Sequence, residues 1–290
     1  MPEPSMSEQS SVIFDIGYQR YDGPRLGRRS AVVSLYFHGL RGVFGLGRPA
    51  KSKVLPWLVV AIMFIPVIVL IAVMSRTGTQ VERYDFYPFQ LQAVLAVFLA
   101  AQAPELLSRD QRYQVLPLYF SRPIRRSDYA LAKLAAMVTA IFALIALPLL
   151  VYWLGSIATI THHPSEVRHQ TAQFALGIAN AGFHAILLGA LGVVIAAFAR
   201  RRAFATAAII GVYLITSAVA GALSALPNDN GRYGELFSPF TLLDGLRVWL
   251  LQGKAIDDSA SPSAAYAITS AAFVVLFVLV LLRRYRKIAT

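Results

Sequence analysis

Long apolar blocks alternate with short polar or basic clusters along most of this chain. The blocks run near 54–74, 87–103, 129–154, 173–199, 203–226 and 264–282. A helix that crosses the hydrocarbon core of a bilayer needs roughly 20 mainly apolar residues, and the blocks are close to that length. The pattern therefore predicts an all-α, polytopic membrane protein with six transmembrane helices in a domain 54–290. The second block, with Gln90, Gln92 and Gln102, is expected to face protein or water more than lipid. Pro66 and Pro148 are expected to kink the first and third spans.

Ahead of these blocks, residues 1–53 read as a cytoplasmic tail and an interfacial helix. The first 30 or so are polar, contain Pro2, Pro4 and Pro24, and resemble a poorly ordered segment. From Val33 onward, Val33, Tyr36, Phe37, Leu40, Val43 and Phe44 recur at helical steps, while Ser34, His38 and Arg41 fall off that face. This spacing predicts an amphipathic helix suited to the membrane interface. Gly39, Gly42 and Gly45 work against it, each costing about 1 kcal/mol relative to Ala.

Between the blocks, Arg200-Arg201-Arg202 must mark a turn. Burying three arginines mid-membrane in one long helix would cost on the order of 8–10 kcal/mol. Residues 75–87 and 155–172 read as outer loops. The stretch 227–263 is apolar but broken by Pro239, Asp244 and Arg247. It predicts a re-entrant or interfacial hairpin, or else a helix lying on the headgroups.

Composition and charge agree with this reading. Apolar residues make up 57% and charged residues 14%, far from the balance of a soluble domain. The net charge of +12 does not signal nucleic acid, because the basic residues flank apolar blocks instead of forming one stripe. Only Arg76, Arg83, Arg168, Arg232, Arg247 and Lys254 of the 27 Lys and Arg fall on one predicted side. The other side then faces the cytoplasm of a cell membrane and holds both termini. With no cysteine, disulfides and thiolate chemistry are excluded. No early apolar run suggests a cleaved signal peptide.

Candidate chemistry is sparse. The phosphate-loop pattern Gly-x-x-x-x-Gly-Lys-[Ser/Thr] is absent, as are the Gly-x-Ser-x-Gly elbow and the His-Glu-x-x-His zinc pattern. His162, His163, Glu166 and His169 could gather a metal, but Pro164 interrupts the helix that would align them, so no metal site is assigned. Asn180 and His184 share one face of the fourth span, and with Gln102 they are candidates for a substrate path. Either could equally hydrogen-bond across a helix interface. The segment Pro104–Lys133 stands out, with Arg109, Arg112, Arg122, Arg125, Arg126, Asp110 and Asp128 between two apolar blocks. Ser127 or Asp128 can cap the helix that follows.

At Ser108-Arg-Asp-Gln-Arg-Tyr and at Leu118-Tyr-Phe-Ser-Arg-Pro-Ile-Arg-Arg-Ser-Asp-Tyr-Ala-Leu-Ala-Lys133 the sequence resembles the type-2 ATP-binding-cassette (ABC) exporter permeases. Asp110 and Arg112 match the start of that family's segment, Ser121-Arg122-Pro123 its turn, and Arg126, Tyr129 and Lys133 the approach to span three. The frequent Glu-x-Gly-Thr-Leu version is replaced by Arg112-Tyr-Gln-Val-Leu116. The resemblance implies six spans, an N-terminal interfacial helix and short re-entrant helices between spans five and six. It also implies a separate ATPase subunit that binds ATP and Mg, so that this chain holds no cofactor and no catalytic residue of its own. The ATPase would dock on Arg109, Asp110, Arg112, Ser121, Arg122, Pro123, Arg125 and Arg126. A second permease copy or a homologue would complete the path, and an amphiphile would be exported.

Two other function classes are open to the residues. A self-contained secondary transporter or channel would need intramembrane carboxylates or an internal repeat, and Glu105 lies only near a span end. An intramembrane enzyme would need a nucleophile, a metal or a carboxylate pair inside the spans.

Overall fold

The computed structural model describes residue 23 and residues 26–78, 83–121, 123–160, 164–199, 201–225, 234–251 and 264–287. The N-terminal tail, Arg122, His162, His163, Arg200 and much of 227–263 lie outside the described residues. Among the described residues there is no strand. Ten α-helices follow in order: α1 Arg28–Val43, α2 Lys51–Thr77, α3 Tyr87–Gln90, α4 Gln92–Arg112, α5 Leu116–Phe120, α6 Arg126–Ile160, α7 Pro164–Phe198, α8 Arg202–Ser224, α9 Leu242–Leu251 and α10 Ala264–Arg286.

Five of them (α2, α6, α7, α8 and α10) are long and apolar enough to cross a membrane, the architecture of a helical membrane protein. The predicted second span is different. Its first turn is the separate α3, the chain breaks at Leu91, and α4 continues through Pro104 to Arg112, well past residue 103. With Glu105, Arg109, Asp110 and Arg112, α4 falls outside the set of apolar helices. It tolerates those groups because it is enclosed, packing on α8, α7, α2 and α1 with Phe98 through Pro104 buried. An enclosed helix meets protein partners where a lipid-facing one must be apolar.

The α6–α7 hairpin forms the centre. Each helix has 35 residues, about 52 Å long at 1.5 Å per residue. That exceeds a hydrocarbon core of about 30 Å, so both helices continue into the stretch 155–172 predicted as a loop. Packing satisfies these helical extensions: Trp153 stacks on Phe174 at 5.1 Å, and Tyr84 Oη donates to Gln170 Oε1 at 3.1 Å and lies 2.6 Å from Ser156 Oγ. Burial pushes the Tyr84 phenol up to about 12, so it stays a donor. At Gly192 of α7 a Cβ would stand 2.3 Å from Leu99 Cδ1 of α4, so any larger residue would force the buried Leu99 side chain to shift.

Within α2, Pro66 has no N–H to return to Ile62. One residue further along, the Met63 carbonyl accepts the Tyr87 hydroxyl. A side chain thus supports a proline-loosened turn, as membrane helices require. The outward faces of α2 and α8 remain apolar and exposed, with Ile68 at 60% and Ile215 at 66%. Exposed apolar surface on this scale calls for lipid or another protein.

Candidate functional site

The helices bring their charged termini to two ends. One, here the basic end, gathers the starts of α2, α6 and α8, the ends of α4, α7 and α10, and all of α1 and α5. At its centre is Glu105 on α4. Its Oε2 lies 2.9 Å from Arg48 before α2, its Oε1 lies 2.6 Å from Arg202 at the start of α8, and Arg109 approaches to 3.8 Å. One carboxylate thus joins three segments separated in sequence.

One turn and a residue further on, Asp110 faces inward. Its Oδ2 accepts the Tyr129 hydroxyl at 2.7 Å and the Lys133 ammonium at 2.8 Å. Lys133 is itself buried and also donates to the Leu106 carbonyl at 3.0 Å. Of the predicted docking residues, Asp110 therefore binds α4 to α6. Ser108 and Gln111 donate to the Ala199 and Ala197 carbonyls at 2.9 Å, satisfying groups left over at the end of α7. Arg126 donates to the Arg286 carbonyl at 3.1 Å.

α4 ends in a turn closed by Val115 N–H to Asp110 C=O at 3.1 Å and Gln114 N–H to Gln111 C=O at 3.3 Å. This is the Schellman arrangement, which places Gln114 at φ +51° where glycine is usual. A non-glycine residue there costs on the order of 1 kcal/mol.

α1 lies across the start of α6. Arg28 donates to both carboxylate oxygens of Asp128 at 2.6 and 2.5 Å, and Tyr36 donates to Thr139 at 3.1 Å. Donating to the Asp128 carboxylate raises the Arg28 pKa. Asp128 also accepts the Arg125 N–H at 3.1 Å, reaching back to the start of α6 as a capping box does. α1 is rotated about its axis so that Leu35, Gly39 and Val43 are buried, while Val33 and Phe37 of its apolar face are more than half exposed. The close approach to α6 sets this rotation. A Cβ on Gly39 would lie 3.1 Å from Ala136 Cβ, so the glycine that weakens the helix also lets it pack closely on α6.

Between α1 and residues 105–124 lies a cleft of about 940 Å³. Ser34 and His38 line one wall; Arg109, Asp110, Tyr113 and Pro123 line the other. The remaining predicted residues fall elsewhere. Arg112 lines a second cleft, against α8. Ser121 donates to the Leu118 carbonyl at 2.9 Å, and Arg125 is exposed.

The path candidates are all buried. Asn180 donates to the Asp85 carbonyl, and His184 Nδ1 lies 3.0 Å from the Asn180 carbonyl. Asn180 Oδ1 and His184 Nε2 have no hydrogen-bond partner among the described residues. Gln102 is not part of this pair. Leu99 meets Gly192, so Gln102 lies a turn toward the basic end and His184 about 12 Å the other way.

At the opposite end a buried ionic cluster is present. Arg247 on α9 lies 2.9 Å from Asp85 and 2.7 Å from Asp244, with its guanidinium 5.1 Å from the Phe86 ring centre. Arg83 approaches the same Asp85 at 3.0 Å. α9 packs on α10 and α7, with Leu242 through Val248 buried.

Sequence reasoning missed Glu105 as a hub and the Asp85–Arg247 pair. A carboxylate inside a predicted span boundary was the available signal for the first. For the second it was the Asp244/Arg247 spacing inside an apolar stretch. Glu166 and His169 lie in the first turns of α7 and are exposed; the two histidines proposed beside them are outside the described residues. Compared with known proteins, the chain matches no family model, and no curated protein is significantly similar to it.

Proposed function

We propose that this chain is the membrane permease subunit of an ABC transporter, coupled to a separate ATPase and exporting an amphiphilic or hydrophobic substrate. The observation that carries the reading is the cleft between α1 and residues 105–124. Both walls are tied rigidly to the span-length helices, through Arg28–Asp128 on one side and Asp110–Lys133 on the other. A soluble partner seated there would transmit a push to α4 and α6 together. The lack of a phosphate loop in the sequence is consistent with ATP hydrolysis on another chain.

In this reading α4 is the second of six spans, the basic end faces the cytoplasm with both termini, and α1 lies in the interface. The segment containing α9 is the outer, re-entrant element. A second permease copy or homologue completes the path. Few polar groups within the spans favour an amphiphilic cargo.

The test is an affinity pull-down of the chain from its native membrane in mild detergent, with retained subunits identified by mass spectrometry. An ATPase should co-purify and should be lost with Arg109→Glu, whose side chain is half exposed on the cleft wall. Asp110→Arg is a poorer probe because Asp110 holds Lys133 inside the fold. Retention of the ATPase by folded Arg109→Glu would remove the cleft from the coupling route. Transport by the chain alone that follows a proton gradient would favour the self-contained transporter instead.

A further inference from the structure

On the other side of α4 from the proposed docking cleft lies a second concavity of about 1550 Å³, between α5 and the start of α8. Arg112, Arg201, Arg202 and Arg284 line it, and the described lining residues include no carboxylate. Arg202 is committed to Glu105, and the other three guanidinium groups form no ion pair among the described residues. The first turn of α8, which has no side-chain cap, adds positive potential.

The remaining walls are apolar. Leu116 and Phe120 form one, Ala207 and Ile210 the other. The second continues into the exposed apolar surface of α8, where Phe204 is 65% and Leu214 58% exposed. The arginines therefore sit where a span-length apolar face ends, which is the depth of lipid headgroups. We propose that this cleft is a binding site for an anionic phospholipid. The phosphate is held by Arg112, Arg201 and Arg284, and an acyl chain lies along Ala207 and Ile210. A planar guanidinium matches phosphate oxygens with two parallel hydrogen bonds. The apolar wall makes a lipid, not a bare anion, the occupant. The inference needs only that α8 is embedded in a membrane and holds whether or not an ATPase docks on the other cleft.

The test uses the full chain purified in detergent without partners. Dioleoyl phosphatidylglycerol and dioleoyl phosphatidylcholine are titrated in turn, and bound lipids are counted by native mass spectrometry. Phosphatidylglycerol should bind preferentially. Each arginine near a membrane surface is worth about fivefold in affinity, so the Arg112→Gln/Arg201→Gln/Arg284→Gln variant should lose on the order of a hundredfold. A variant of equal charge, Arg29→Gln/Arg41→Gln/Lys51→Gln, should keep the affinity. Equal loss in both variants, or equal binding of phosphatidylcholine, would overturn the site. So would complete displacement of the lipid by millimolar inorganic phosphate, which would mark a bare anion site. Unchanged lipid binding in the first variant would likewise overturn the proposal. If the triple variant aggregates on size exclusion, exposed Arg112→Gln alone decides, with about fivefold weakening expected and no change overturning the proposal.

Discussion

The two ends of the helical bundle solve the same problem, charge beside a membrane, in opposite ways. At one end Arg247, Asp85 and Asp244 are at most 3% exposed and pair inside the protein, with Arg83 at the rim supplying the second positive charge. At the other, Glu105 joins arginines that are themselves up to 57% exposed, and further arginines remain open in two clefts. The buried cluster anchors the 83–90 segment to α9. The open one holds its helices together while leaving charge available to something outside the chain. Position along the bundle, rather than residue type, decides which role an arginine has.

The largest effect is expected where the buried cluster is broken. Arg247→Met leaves Asp85 and Asp244 without their shared cation and should destabilise the protein by about 3–5 kcal/mol, read by detergent-denaturation titration. Little change would mean that water reaches the cluster. Asp110→Asn should cost about 1–3 kcal/mol, because Lys133 loses its carboxylate inside the fold. It should also raise protease cutting within 113–125, since this contact holds α4 to α6. Glu105→Gln should cost no more than about 1 kcal/mol, because its arginine partners are partly solvated. Raising the salt to 1 M, where the screening length is roughly 3 Å, should speed hydrogen exchange in α1 and leave α9 unaffected. Equal sensitivity at both ends would erase the contrast between them. The smallest effect has the opposite sign: Gln114→Gly relieves a left-handed residue and should stabilise the turn by a few tenths to about 1 kcal/mol.

Much of the helical content was legible, because apolar blocks of span length have few alternatives in a chain with 14% charged residues. The errors lie where a helix meets protein rather than lipid. α4 was expected to stop near residue 103, since charge follows, yet it continues to Arg112 because its polar side chains find Arg48, Tyr129 and Lys133. The 155–172 loop was read from its polarity, yet helix continues there because α6 and α7 support each other. In α1 the apolar positions were correctly seen to be helical, but which of them α6 would bury was not legible. Periodicity measures amphipathicity, and the partner that selects a face is a hundred residues away.

By itself, then, the sequence determined a helical membrane architecture and a charged segment set between apolar blocks, and it predicted six spans where five helices among the described residues are long and apolar enough to cross a membrane. Those properties follow from composition and local spacing. Only the tertiary structure decided that Asp110 points inward while Arg109 and Arg112 open into different clefts. Those three side chains project around one helix, and which neighbour each meets depends on α1, α6 and α8. The same holds for Asp85 and Arg247, 162 residues apart, whose pairing depends on how the chain returns through the bundle.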